Sequence, residues 1–195
     1  MLYGLLLAGG KSLRMGEDKK QLVYNGKTLL AHATALLEEA GADRILLSGD
    51  IEGHTSIPDI NPASGPPGGV HSAVSFLSGE PGFEGSMLLV IPVDMPLLEP
   101  PTLSRLLKYI SSDAACHYED EIFPCLFRLS NEFRAHLDRI FDEGTGKGGS
   151  RSMRALLDFC DAVTLESRGI SRMEFLNLNT QADWQEFLSM QKSDQ

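Results

Sequence analysis

Three cations, Lys11, Arg14 and Lys19, follow a glycine pair in the run Leu7-Ala8-Gly9-Gly10-Lys11-Ser12-Leu13-Arg14-Met15-Gly16-Glu17-Asp18-Lys19. Glycines without a Cβ let main-chain amides approach phosphate oxygens or base edges, and the cations supply the charge a polyphosphate needs. A second centre is Val90-Ile91-Pro92-Val93-Asp94-Met95-Pro96, where one carboxylate ends an apolar run. Magnesium takes oxygen ligands in octahedral array and is usually held by one or two carboxylates together with substrate phosphates, so Asp94 is the expected metal ligand. Asp59, in Ile57-Pro58-Asp59, can accept from sugar hydroxyls or from the N1–H and amino pair of guanine. The turn Gly65-Pro66-Pro67-Gly68-Gly69 ahead of a helix would offer free amides to an anion. Each of these last two, taken alone, also fits an ordinary loop.

Other chemistries find less support. Gly10-Lys11-Ser12 matches the tail of a P-loop, but the first glycine of that pattern falls on Leu5, and Gly4 stands one place early. His32, His54, His71, His117 and His136 form no metal-ligand spacing and read as scattered polar residues, and no Gly-x-Ser-x-Gly elbow supports a serine nucleophile. The three cysteines, Cys116, Cys125 and Cys160, lack C-x-x-C spacing and read as reduced core thiols. A net charge of −10 argues against a nucleic-acid surface, which needs a basic footprint. A polyphosphate must therefore be met by a local basic cluster.

The elements that must position these residues follow from periodicity. Residues 3–7 are a short apolar run ended by Gly9-Gly10, the mark of a strand buried on both faces in a parallel sheet. Residues 28–40 carry Leu29, Leu30, Ala33, Leu36 and Leu37 at helical spacing with Gly41 just past the end, and residues 44–48 supply the next strand. Residues 51–69 are expected as loop, 70–77 as helix, 87–93 as the strongest strand and 102–110 as a helix launched by Pro101 at its first position. Further strands are expected at 113–117 and 122–129. Helices should cover 131–141 and 151–159 around the loop 144–149, and a last helix should start at Thr180 with Asp183 as a capping-box partner. The expected architecture is α/β, a three-layer α/β/α sandwich on a mainly parallel, Rossmann-like sheet. At 195 residues, 42% apolar and 23% charged, without repeat or linker, residues 1–195 are expected to form one domain. The longest apolar runs fall short of the roughly 18–20 residues a membrane helix needs, and the expected location is the cytoplasm.

Four separated stretches carry a resemblance that spans nearly the whole chain. Residues 7–19 resemble the L-A-G-G-x-S-x-R-M-G-x-D-K signature of the molybdenum cofactor guanylyltransferases, and Pro92-Val93-Asp94-Met95-Pro96 is similar to their P-C-D-M-P. Gly65 to Gly69 resembles their G-P-L-x-G turn, and Phe175-Leu176-Asn177-Leu178-Asn179-Thr180 the closing F-x-N-x-N-T. The resemblance implies that Leu7, Ala8, Gly9 and Gly10 contact a guanine nucleotide through the backbone. It also implies that Arg14 and Lys19 meet the phosphates, that Asp59 helps fix the nucleoside and that Asp94 binds magnesium. Arg151, Asn177 and Asn179 would serve the acceptor, the asparagines facing the pterin. Three positions depart from the family pattern: Val93 replaces a cysteine, Pro67 a leucine, and Ser48 stands where a nucleoside-binding asparagine often lies.

The reaction so implied is transfer of GMP from GTP to the phosphate of molybdopterin, releasing pyrophosphate, with Mg2+ bound at Asp94 and Arg14 and Lys19 countering the developing charge. Cytidylyl transfer, nucleotidyl transfer to a sugar phosphate, a P-loop-like NTPase and a non-catalytic nucleotide sensor are the alternatives. The expected partners are GTP, molybdopterin with or without molybdenum, and docking proteins of cofactor biosynthesis or of the acceptor enzymes. The acidic charge points to specific docking rather than long-range attraction of an anionic acceptor.

Overall fold

A computed structural model describes residues 1–9, 21–49, 56–110, 114–142 and 150–193. One sheet organises the chain. Its strands are β1 (Leu2–Leu7), β4 (Arg44–Ser48), β5 (Met87–Pro92), β6 (Ala115–Tyr118), β7 (Cys125–Arg128) and β8 (Val163–Leu165), in the order β4-β1-β5-β7-β6-β8. β1 pairs parallel with both β4 and β5, and β6 with β8, while β7 runs against its neighbours β5 and β6. The sheet is therefore mixed and mostly parallel. The single reversal follows from the short connection between β6 and β7, which only an antiparallel pair can use.

β1 is buried along its whole length because both faces are covered. Leu2 and Leu6 point to one side with Leu47, Leu89, Ile91 and Leu126, and Tyr3, Leu5 and Leu7 to the other with Leu46, Leu88, Val90 and Phe127. The first side is closed by α1 (Leu29–Glu39), α3 (Pro100–Tyr109) and α6 (Gln181–Ser193), through Leu30, Leu37, Leu103, Leu106, Trp184 and Phe187. The second is closed by α2 (Gly65–Leu77), α4 (Asn131–Asp142) and α5 (Met153–Phe159), through Val70, Val74, Phe133, Leu137 and Leu156. This is the expected α/β/α sandwich. The period-two alternation along each strand feeds two cores at once, each fully buried leucine contributing roughly 1.5–3 kcal/mol.

Local signals hold where the chain caps itself. Thr28 is the N-cap of α1, its Oγ1 accepting from the Ala31 amide at 3.1 Å, and Gly41 follows the helix at φ 86°. The capping box at the last helix is present: the Asp183 amide donates to Thr180 Oγ1 at 3.1 Å and the Thr180 amide to Asp183 Oδ2 at 2.8 Å. The three cysteines are free and buried, and burial pushes the Cys160 thiol up to about 12.

Several boundaries differ. α2 starts at Gly65 rather than at residue 70, because Pro66 and Pro67 occupy the first helical turn, where a missing N–H costs nothing and the ring presets φ. α3 likewise begins one residue early, at Pro100. The strand expected over 122–129 is limited to Cys125–Arg128, since 119–124 form the turn back from β6. The strand expected at 113–117 is Ala115–Tyr118, and residue 113 and the loop 144–149 lie outside the described residues. The hairpin β2 (Val23–Tyr24) and β3 (Lys27–Thr28) went unread, although Asn25 at φ 49° and Gly26 at φ 76° form the two-residue turn that Asn-Gly signals. β8 and the 3-10 helix Arg172–Phe175 also went unread, both too short for a periodic signal. Among the described residues no helix is long and apolar enough to cross a membrane.

Candidate functional site

The carboxyl ends of β4, β1 and β5 lie side by side, Leu7 pairing with Ser48 on one flank and Pro92 on the other. Beyond the strands the contact continues: the Ala8 amide donates to Ser48 O at 3.2 Å and the Val93 amide to Leu7 O at 3.1 Å. Leu7, Ala8 and Gly9 therefore leave the sheet between Ser48-Gly49 and Val93-Asp94. In open α/β sheets this edge is where ligands bind.

The backbones here touch. Gly49 sits at φ 104°, and a Cβ on it would lie 2.6 Å from the Gly9 Cα, so both the conformation and the space demand glycine. Gly9 itself is exposed while Ala8 is buried, which leaves the main chain of Gly9 facing outward at the edge. Its continuation, with Gly10, Lys11, Arg14 and Lys19, lies outside the described residues.

Ser48 closes the second side. It is 5% exposed, and a Cβ on Gly69 would come within 2.6 Å of its Oγ and 2.8 Å of Leu7 Cδ2, so its hydroxyl faces α2 rather than the open edge. Gly69 is thus present for close packing. The chain returns beside β4 at Ile57, whose amide donates to Leu47 O at 2.8 Å, and exposed Asp59 follows two residues later. The Ile60 amide donates to Ser72 Oγ at 3.1 Å, tying this segment to α2. The expected run of free amides at the start of α2 is reduced, because Pro66 and Pro67 carry no N–H.

Asp94 completes the row. It is half-buried one residue past Val93, and its main-chain oxygen accepts from the Leu178 amide at 2.9 Å. Leu178 is buried while Asn177 is half-buried and Asn179 exposed, so Leu178 rather than either asparagine fills the core here. The Asn179 amide is held by Asp183 Oδ2 at 2.9 Å. The closing stretch and the Asp94 stretch, far apart in sequence, are therefore neighbours. Arg151 stands apart from them at the end of α4, its Nε–H donating to Ile140 O at 2.9 Å and its guanidinium lying 5.2 Å from the centre of the Phe141 ring.

Among the described residues no three His, Cys, Asp or Glu side chains cluster so as to hold a metal by themselves. An ion at Asp94 would take its other ligands from phosphate and water, which fits magnesium and its habit of sharing a carboxylate with a polyphosphate.

Glu174 and Tyr118 carry no mark in the sequence. Glu174 is 9% exposed, and its Oε2 accepts from Thr102 Oγ1 at 2.5 Å and from the Glu99 amide at 3.3 Å, so a buried carboxylate caps the start of α3 and pins the segment that leads to Asn177. Tyr118 adds to this cluster, its hydroxyl donating to Thr102 O at 2.8 Å. His71, read as a scattered polar residue, is buried on α2. None of these three has a spacing signal, since their partners come from other elements.

The model of the MobA-like NTP transferase domain matches residues 4–163 of this chain. A molybdenum cofactor guanylyltransferase of Xanthomonas euvesicatoria is 37% identical over 93% of this chain and 91% of its own. The solved molybdopterin-guanine dinucleotide biosynthesis protein A of Archaeoglobus fulgidus shares the fold with a TM-score of 0.70 at 18% identity, covering 98% of this chain and 99% of that one. A Mycobacterium tuberculosis protein crystallised in complex with manganese shares it with a TM-score of 0.66 at 18% identity, over 96% and 98% of the two chains.

Proposed function

The chain belongs to the MobA-like NTP transferase family, among the molybdenum cofactor guanylyltransferases, and from that premise we propose that it carries GTP on the ends of β1, β4 and β5 and molybdopterin on the segment around Asn177 and Asn179. The observation that carries this reading is the Leu178–Asp94 main-chain bond, which joins the acceptor segment to the expected metal ligand at the edge where Leu7, Ala8 and Gly9 emerge.

In this reading the main chain of Leu7, Ala8, Gly9 and Gly10 holds the guanine, with Asp59 fixing the nucleoside and Ser48 contributing through its main chain, since its hydroxyl is turned to α2. Arg14 and Lys19 bind the phosphates. Asp94 would hold magnesium, which supplies charge neutralisation on the phosphate oxygens when bound. The terminal phosphate oxygen of molybdopterin attacks the α-phosphorus of GTP in line; the new O–P bond forms as the bond to the bridging oxygen breaks, and that oxygen leaves with pyrophosphate. No protein nucleophile takes part. The chain's contribution is alignment of two anions and screening of their charge, the main sources of rate in phosphoryl chemistry. Arg151 assists on the acceptor side, and Asn177 and Asn179 present amide donors and acceptors to the pterin edge.

Calorimetric titration with GTP and, separately, CTP in the presence of magnesium tests the base choice. Tight GTP binding with little response to CTP is expected. Preference for CTP, or no binding of either, would overturn the reading.

A further inference from the structure

His71 occupies the second turn of α2, 5% exposed, and both of its ring nitrogens are engaged. The side-chain amide of Asn61 donates to Nδ1 at 2.9 Å, which places the ring proton on Nε2, and Nε2–H donates to Asp138 Oδ1 at 2.9 Å. Arg134, one turn earlier on α4, lies near the other carboxylate oxygen, its Nε 3.6 Å away, an ion pair without a hydrogen bond. The ring also stacks on Phe141, with centroids 4.7 Å apart and planes 6° from parallel. The same Phe141 ring carries the Arg151 guanidinium. One buried side chain thus touches two separate elements: the segment holding Asn61, two residues past Asp59, and the end of α4 that supports Arg151.

We infer that His71 is a positioning residue which sets the spacing between the nucleotide-side segment of Asp59 and the acceptor-side Arg151. This rests on the roles given to Asp59 and Arg151 above. The physical reason is that a planar ring with both nitrogens bonded and one face stacked has a single orientation, and a bond at each end transmits that orientation to both elements. Hydrophobic packing alone would keep α2 on α4 but would not set their register at this level.

Four variants separate positioning from packing. His71→Phe keeps the ring and its stack but loses both hydrogen bonds, and should weaken GTP binding and raise the acceptor KM, each by about five- to tenfold. His71→Gln, whose amide offers an acceptor and a donor at similar separation, should recover most of both. Asn61→Ala should weaken GTP binding with little effect on the acceptor KM, and Asp138→Ala should do the reverse. GTP affinity is read by calorimetry with magnesium, the acceptor KM by pyrophosphate release with molybdopterin, and the fold by thermal melting. The inference is overturned if His71→Phe lowers only the melting temperature while both constants stay within about twofold of wild type. Should that variant not fold, Asn61→Ala and Asp138→Ala decide, and two unchanged constants overturn it equally. A wild-type protein that fails to bind GTP defeats the guanylyltransferase reading itself, and this inference with it; a wild type that binds while the variants match it defeats only the inference.

Discussion

The amide of Leu178 donates to the main-chain carbonyl of Asp94 at 2.9 Å, so the segment bearing Asn177 and Asn179 is fastened directly to the tip of β5. Because the bond is between backbones, side-chain changes at Asp94 should leave the fastening intact. Asp94→Ala is expected to lower turnover by about a hundredfold or more, the size of effect when a charge-stabilising group is removed, with a melting temperature close to wild type. Full turnover at ordinary magnesium would remove Asp94 from the metal site.

Glu174 anchors the other end of that segment. Glu174→Ala leaves Thr102 Oγ1 and the Glu99 amide without their acceptor and should cost about 2–3 kcal/mol of stability. The released segment should then raise the acceptor KM while GTP affinity stays unchanged. Denaturant unfolding and the two binding constants check this; a GTP affinity that falls in step would show a wider disturbance.

Gly49→Ala tests the close approach of the two strand ends. A methyl at φ 104° and 2.6 Å from the Gly9 Cα must push β1 and β4 apart at the site. The expected outcome is a loss of about 2–4 kcal/mol together with weakened GTP binding. Gly79→Ala is the control, where a Cβ meets nothing within 4 Å.

Alkaline pH addresses the cluster beneath the site. Burial pushes the Tyr118 phenol up to about 12, against partial relief from Arg105. A folded pKa above the unfolded value of 10.0 means that the unfolded chain loses the proton first. This contribution is whole below pH 10 and is lost as pH rises toward 12, about 2–3 kcal/mol across the window. The Cys160 thiol, raised from 9.0 to about 12, adds a fall of the same sign. Tyr118→Phe should be less stable by about 1 kcal/mol at neutral pH, through loss of the bond to Thr102 O, yet show a shallower alkaline decline. An unchanged slope would exclude Tyr118 as a source.

Legibility in the sequence tracked the range of the interaction. Buried runs such as β1 and β5, the helical stripe of α1 and the Thr180–Asp183 capping box rest on neighbours a few residues away, and periodicity reports them. The Asn-Gly turn of the β2–β3 hairpin is equally local, but it joins strands of only two residues each, too short for an alternating pattern to mark them. The start of α2 lies outside the expected span because a Gly- and Pro-rich stretch reads as loop until a surface exists for it to pack on; within the helix, Gly69 leaves the room that Ser48 and Leu7 occupy.

By itself, then, the sequence determined that strands buried on both faces end in a glycine pair and in Asp94, and that an Asn-x-Asn-Thr stretch opens the last helix. Those statements need only residue type and spacing. Only the tertiary structure decided that β1 lies between β4 and β5, that Leu178 reaches Asp94, that Ser48 turns its hydroxyl to α2, and that His71 and Glu174 are buried among partners from other elements. Long-range hydrogen bonds form where the packing of both cores brings backbones together, and no local pattern encodes which ends will meet.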